Sequence, residues 1–289
     1  MSFSPRFPHL ASVILFAVVS TILAPPAAAD DRVEARPLIV AHRGASHFAP
    51  ENTLAAFRRA WEEGADVIEG DFYLTADGHI VCIHDRTTKK TAGVELDVAK
   101  STLAELRQLD VGRWKDERFA GERIPTIEEV LAIVPPNKSI LIEVKCGPEI
   151  VPKLKEALEA AQLKPQQTKV IAFDERVVAS TKRLIPEIKA YWLVRYKEQP
   201  NGGFEPTAAD VMRTLARVRA DGLDTHANEQ VVDADFVKML RMAGLEFHTW
   251  TVNDPSVAEH FRMLGVDSIT TDRPGFLREK LMLEPAAAE

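Results

Sequence analysis

Two histidines, His42 and His84, stand either side of a pair of carboxylates, Glu69 and Asp71, in a stretch whose apolar runs would bring all four together. His42 ends the run Leu38-Ile39-Val40-Ala41 and is followed by Arg43-Gly44; His84 ends Ile80-Val81-Cys82-Ile83 and is followed by Asp85. Between them lie the run Val67 to Leu74 and the turn Thr75-Ala76-Asp77-Gly78. Asp-Gly between two β-rich runs is a strong hairpin signal. Folding about that turn sets Glu69 opposite His84 and Asp71 opposite Cys82, so that Glu69, Asp71 and His84 share one face. Two acids and an imidazole beside a His-Arg pair suit a metal-assisted reaction on an anionic substrate.

Further along, Glu143-Val144-Lys145 puts a carboxylate and an ammonium two residues apart on an apolar strand, so both point the same way. Inward charges on such a strand are costly unless paired, solvated or bound to metal. One divalent cation and one phosphate account for the whole set. Glu69, Asp71 and Glu143 supply oxygen ligands of the kind Mg2+ or Ca2+ takes. Arg43 and Lys145 hold the phosphate, and His42 and His84 serve as acid and base. No cysteine or histidine spacing suggests zinc. Each feature also has a plainer account: Glu143 and Lys145 as a structural ion pair, His84-Asp85 as a solvated strand end, Trp250 as core. His47, His79, His226 and His248 are taken as structural or surface residues.

The elements that must position these groups alternate. Strands are expected at 38–42, 66–71, 139–145, 168–173, 189–194, 222–226, 245–252 and 266–271, and helices at 51–63, 126–134, 149–162, 175–185, 208–220, 234–243, 255–264 and 275–283. Continuously apolar strands such as Ile140-Leu141-Ile142 suit a parallel sheet buried on both faces. Eight βα units predict an α/β fold, a (β/α)8 TIM barrel. A doubly wound sheet is the alternative, weakened because no Gly-rich dinucleotide fingerprint follows the first strand. The hairpin and the polar stretch after it form a small insertion after the second strand, at about 74–123, with a short helix at 103–109. Pro200-Asn201-Gly202-Gly203 is expected to be one loop.

Residues 1–29 have the pattern of a secretory signal peptide: Arg6, an apolar stretch from Leu10 to Leu23, and Ala27-Ala28-Ala29 before a cut. That stretch is short for a membrane span, which wants roughly 20 apolar residues. The expectation is a single domain at 30–289, periplasmic or secreted, with no stable span after cleavage. The net charge of −7, more acidic still once Arg6 is removed, argues against a nucleic-acid binder and leaves a small molecule as the expected partner. The two cysteines, Cys82 and Cys146, are expected to be separate thiols.

His42-Arg43-Gly44, Pro50-Glu51-Asn52-Thr53, Glu69-x-Asp71, Thr75-x-Asp77-Gly78 and His84-Asp85 resemble the signature of the glycerophosphodiester phosphodiesterase family. Ile124-Pro125-Thr126, Glu143-Val144-Lys145, Trp250-Thr251-Val252-Asn253, Gly265-Val266-Asp267 and Thr271-Asp272 continue it in order. The resemblance implies a barrel with a small insertion and a divalent metal at Glu69, Asp71 and Glu143. It further implies phosphate contacts from Arg43 and Lys145, acid-base work by His42 and His84, and Trp250 on the glycerol side of the pocket. The implied reaction is hydrolysis of a glycerophosphodiester to glycerol 3-phosphate and an alcohol. Two positions depart from the family. Gly70 replaces a bulky residue, for which looser packing is expected, and Ala172-Phe173 replaces Ser-Phe, which bears on the substrate. The alternatives are a related barrel phosphodiesterase acting on lysophospholipids or other lipids, and an exported binding protein without turnover.

Overall fold

The computed structural model describes residues 1–3 and 36–283. The signal segment expected at 1–29 lies, apart from those first residues, outside the described residues. Among them no helix is long and apolar enough to cross a membrane.

Among the described residues eleven strands run in chain order: β1 (Leu38–Ala41), β2 (Val67–Leu74), β3 (Ile80–Cys82), β4 (Ser139–Val144), β5 (Thr168–Ala172), β6 (Lys189–Val194), β7 (Lys197–Glu198), β8 (Phe204–Glu205), β9 (Gly222–His226), β10 (Glu246–Trp250) and β11 (Ser268–Thr271). Eight of them, β1-β2-β4-β5-β6-β9-β10-β11, pair in parallel, and β11 returns to β1 to close the expected barrel. Helices lie between the strands, each within a few residues of its expected place. The first runs Leu54–Glu62, shorter than expected at its start because Thr53 caps it, accepting from the Ala56 N–H. The loop expected around Asn201 is the tip of a small hairpin, β7 with β8.

Strand side chains alternate between two cores. Ile39, Ile68, Ile140, Val170 and Ala190 face the helices and join the large outer layer. Val40, Val67, Leu141, Ile171, Tyr191 and Leu193 fill the barrel. At the N-terminal end of the strands, buried Asp66 accepts from the Ile39 N–H at 3.0 Å and pairs with Arg36 at 3.3 Å, Lys138 at 3.7 Å and Arg278 of the last helix. One carboxylate thus gathers the beginning, the second crossover and the end of the barrel.

The hairpin register differs from expectation by one residue: Phe72, not Asp71, lies opposite Cys82. The reason is the turn. Gly78 takes a left-handed conformation (φ 82°), Thr75 N–H donates to the His79 carbonyl and Gly78 N–H to that of Thr75, so the loop holds three residues instead of four. A slip of one residue reverses the faces. His84 therefore does not share a strand face with Glu69 and Asp71; the chain leaves the sheet after Cys82 and carries His84 to them. The polar stretch between β3 and β4 nevertheless packs a core of its own, in which Ile83, Val98, Leu106, Val111 and Ile124 join Val81 of β3. Nor is the packing at Gly70 loose: a Cβ there would lie 3.0 Å from the Phe57 ring and 3.1 Å from Cys82 Sγ. These neighbours take the space of the missing side chain. Cys82 is buried and Cys146 partly so, and both are free thiols.

Gly44 is where fold and chemistry are most tightly joined. It follows Arg43 with φ 79°, and a Cβ on it would fall 2.5 Å from the backbone of Ala56 in the first helix. Gly44→Ala should therefore destabilise the protein by at least about 2 kcal/mol, from left-handed strain and overpacking together. Urea unfolding reads this directly; an unchanged midpoint would show that the helix gives way without cost.

Candidate active site

The C-terminal ends of the strands surround a cavity of about 130 Å³. His42 and Arg43 come from the end of β1, Glu69 from β2, Glu143 and Lys145 from β4, Trp250 from β10, and His84 from the segment after β3. Asp71, two residues beyond Glu69 on β2, lies beneath Arg43 and Lys145. The structure thus brings all eight residues singled out in the sequence to one end of one barrel.

The turn after β1 is built backward to do this. Arg43 has φ 54° and Asn52 φ 58°, conformations that cost a non-glycine residue about 1 kcal/mol or more. Hydrogen bonds hold them there. Arg43 N–H donates to Glu69 Oε2 at 2.8 Å, and Asn52 N–H donates to the Arg43 carbonyl at 3.0 Å. The Asn52 amide donates to Asp71 Oδ2 at 2.8 Å and accepts from the Asp71 N–H at 3.1 Å. The Arg43 guanidinium lies between Glu51 at 3.2 Å and Asp71 at 3.3 Å. Lys90, from the segment after β3, reaches Glu51 at 2.8 Å and ties that segment to the same turn.

Glu69, Asp71 and Glu143 are all buried, with an oxygen from each within 4.8 Å of the others. The electrostatics follow from crowding. Burial, then the Asp71 and Glu143 charges, push the Glu69 carboxyl well above the carboxylate range. Burial and the Asp71 charge likewise push Glu143 up to about 8, against the pull of Lys145 at 2.6 Å. Burial alone would raise Asp71 as well, but Arg43, Lys145 and His84 hold it at about 2. One member of the trio keeps its charge while the other two are driven toward neutrality. Among the described residues neither Glu69 Oε1 nor Asp71 Oδ1 has a hydrogen-bond partner, and the Lys145 ammonium lies 3.3 Å from Asp71 Oδ1. Clustered oxygens short of donors are what a hard divalent cation requires, so these residues fit Mg2+ or Ca2+.

The two histidines are held alike. His42 Nδ1 is 2.7 Å from Asp272 Oδ1, and His84 Nδ1 is 2.7 Å from Asp85 Oδ1. A carboxylate only accepts, so each Nδ1 carries the proton and each Nε2 is the free nitrogen. Asp272 is itself fixed by Ser46 at 2.9 Å and Asn253 at 2.6 Å; burial opposes its charge, but His42 and these donors hold it well below the usual range. Burial lowers the His84 pKa, with Arg43 and Lys145 adding to the effect and Asp71 opposing it. Trp250 is half-buried wall, not core: Phe173 meets it edge-on at 5.6 Å and the Arg195 guanidinium lies 4.9 Å above its ring. His226 also packs edge-on against Trp250, at 5.5 Å, while His248 is buried inside the barrel.

Several residues at the site had no role in the sequence reading. Asp272, Glu51 and Asn52 stood in quoted motifs without one. Arg195 follows β6 at a strand end like those that were read, and Asp224 shares a strand face with His226 by the same two-residue spacing that joins Glu143 to Lys145.

Residues 42–276 match the model of the glycerophosphoryl diester phosphodiesterase family. A glycerophosphodiester phosphodiesterase of Caldanaerobacter subterraneus is 36% identical over 82% of this chain and 94% of its own length. One from Bacillus altitudinis is 31% identical over 82% and 94%. Among solved structures, a phosphodiesterase from Oleispira antarctica in complex with the product sn-glycerol-3-phosphate superposes with a TM-score of 0.75 at 28% identity, covering 87% of this chain and 99% of that one. The glycerophosphodiester phosphodiesterase of Agrobacterium tumefaciens gives 0.70 at 28% identity, over 84% and 99%.

The raised carboxyl of Glu143 has a consequence for stability in metal-free protein. Folded Glu143 keeps a proton to about pH 8, whereas an unfolded glutamate loses it near its ordinary value of 4.5. Between those limits the native state binds more protons, so this group makes stability fall as pH rises and adds no slope above about 8. Thermal unfolding in EDTA should show a smaller decline across that window for Glu143→Gln than for wild type. Equal declines would exclude Glu143 as the titrating group.

Proposed function

The chain belongs to the glycerophosphoryl diester phosphodiesterase family of hydrolases, and from that premise we propose metal-dependent hydrolysis of a glycerophosphodiester to glycerol 3-phosphate and an alcohol. The observation that carries this reading is the convergence of a buried acidic trio, two cations and two carboxylate-held imidazoles on one cavity. Glu69, Asp71 and Glu143 would hold the cation, which when bound supplies a Lewis acid for the phosphate. Arg43 and Lys145 lie against the same carboxylates and neutralise charge growing on the phosphoryl oxygens. His84, its pKa lowered by burial, favours the neutral form that accepts a proton at Nε2. His42, its ring oriented by Asp272 through Nδ1, presents Nε2 to the cavity and is placed to donate to the leaving alcohol. Trp250 and Phe173 give the organic part of the substrate an apolar wall. The signal pattern at 1–29 supports a periplasmic or secreted site of action, and an exported protein beginning at Asp30 would bear that out.

Release of glycerol 3-phosphate from glycerophosphocholine by the purified chain, with Mg2+, Ca2+ or EDTA, tests the reaction and the cation together. Activity with metal and none with EDTA is expected; no release with any divalent metal overturns the reading. His42→Ala and His84→Ala should each lower kcat by at least about 100-fold, and wild-type turnover in either folded variant removes that histidine from the mechanism. Cation binding must displace protons from Glu69 and Glu143, so calorimetry should show affinity rising with pH toward about 8 and net proton release. A pH-independent affinity would place the cation elsewhere.

A further inference from the structure

One polar group on the cavity floor is left unused by the phosphate chemistry. Asp224, on β9, is 1% exposed, yet its carboxyl makes no hydrogen bond among the described residues, and Oδ1 is wholly enclosed. It lines the cavity beside Ile171, Leu193 and Thr270. Trp250 lies over the same strand, its Nε1 donating to the Asp224 carbonyl at 3.4 Å. Leaving a buried polar group without a partner is costly, and such groups in folded proteins are answered by a ligand or water. Burial pushes the Asp224 carboxyl up to about 7, against the opposing charge of His248, so near neutral pH much of it is uncharged. An uncharged carboxyl both donates and accepts, as an alcohol hydroxyl does. An apolar wall with one donor-acceptor group beneath it fits a small polyol, whose carbon face lies on the ring while a hydroxyl reaches the floor.

Resting on the phosphodiesterase reading above, we infer that Asp224 binds a hydroxyl of the glycerol moiety and so selects glycerol-bearing diesters over diesters without a polyol. It is a specificity residue and takes no part in bond cleavage. The test compares wild type, Asp224→Leu and Asp224→Asn on glycerophosphocholine and on bis-p-nitrophenyl phosphate, which has no glycerol. Asp224→Leu should raise KM for glycerophosphocholine about 10- to 100-fold with little change in kcat, while turnover of the aromatic diester stays at the wild-type level. Asp224→Asn keeps a donor and an acceptor and should recover most of the loss. Equal loss on both substrates, or loss on neither, overturns the inference. Should Asp224→Leu not fold, glycerol as a competitive inhibitor of aromatic-diester hydrolysis in Asp224→Ala decides: a rise in Ki of about tenfold supports the contact and an unchanged Ki overturns it. Wild type that cleaves the aromatic diester but not glycerophosphocholine overturns the parent reading, and the glycerol assignment falls with it.

Discussion

Three carboxylates held within a few ångströms of one another and nearly out of reach of water are the constraint around which this barrel is arranged. Ionised together they would repel strongly in a medium that screens poorly. The protein meets this with two cations, Arg43 and Lys145, which both face Asp71 and keep it charged, while burial drives Glu69 and Glu143 toward the neutral form. Much of the local structure follows. Arg43 is bent into a left-handed turn so that its N–H meets Glu69 while its side chain meets Asp71, and Asn52 is bent likewise to hold the other side of Asp71. Gly44 lets the first helix approach closely enough to keep both in place.

Outside this centre the site is organised by paired supports. Each imidazole has a carboxylate on Nδ1, but the two supports differ. Asp272 is clamped by Ser46 and Asn253 from separate elements, whereas Asp85 is the immediate chain neighbour of His84. His42 is thus oriented by the closing strands of the barrel, and His84 by the segment that leaves it. That segment has its own apolar core and reaches back through Lys90 to Glu51 and through Lys115 to the Ser46 carbonyl. Its packing is therefore linked to the same turn that carries Arg43.

The barrel and its eight main site residues were legible because the signals are local: apolar runs ending in charge, helix caps and a dense motif. What escaped the sequence depended on registration. The Asp-Gly turn marked the hairpin but not its length, and one residue decided which side chains face the barrel. His84 reaches the site by leaving the strand, which no alternation rule describes. At Gly70 the absent side chain suggested space, but Phe57 and Cys82, distant in sequence, fill it. Arg195 and Asp224 lie in ordinary strand sequence. Asp224 stands out only once burial and the want of a partner are known.

The cluster at Asp66 has a wider consequence. Arg36 precedes the first barrel strand and Arg278 lies on the last helix, yet both grip one carboxylate at the end of the strands opposite the cavity. The barrel's two chain ends therefore meet, and they meet at the pole remote from substrate. A short linker could join them into a ring, and the chain could be reopened at an outer helix-strand loop without crossing the route by which a diester enters. A fusion partner or surface tether attached at that pole would leave the mouth of the barrel facing solvent, so the architecture suits a catalyst that is carried by its base.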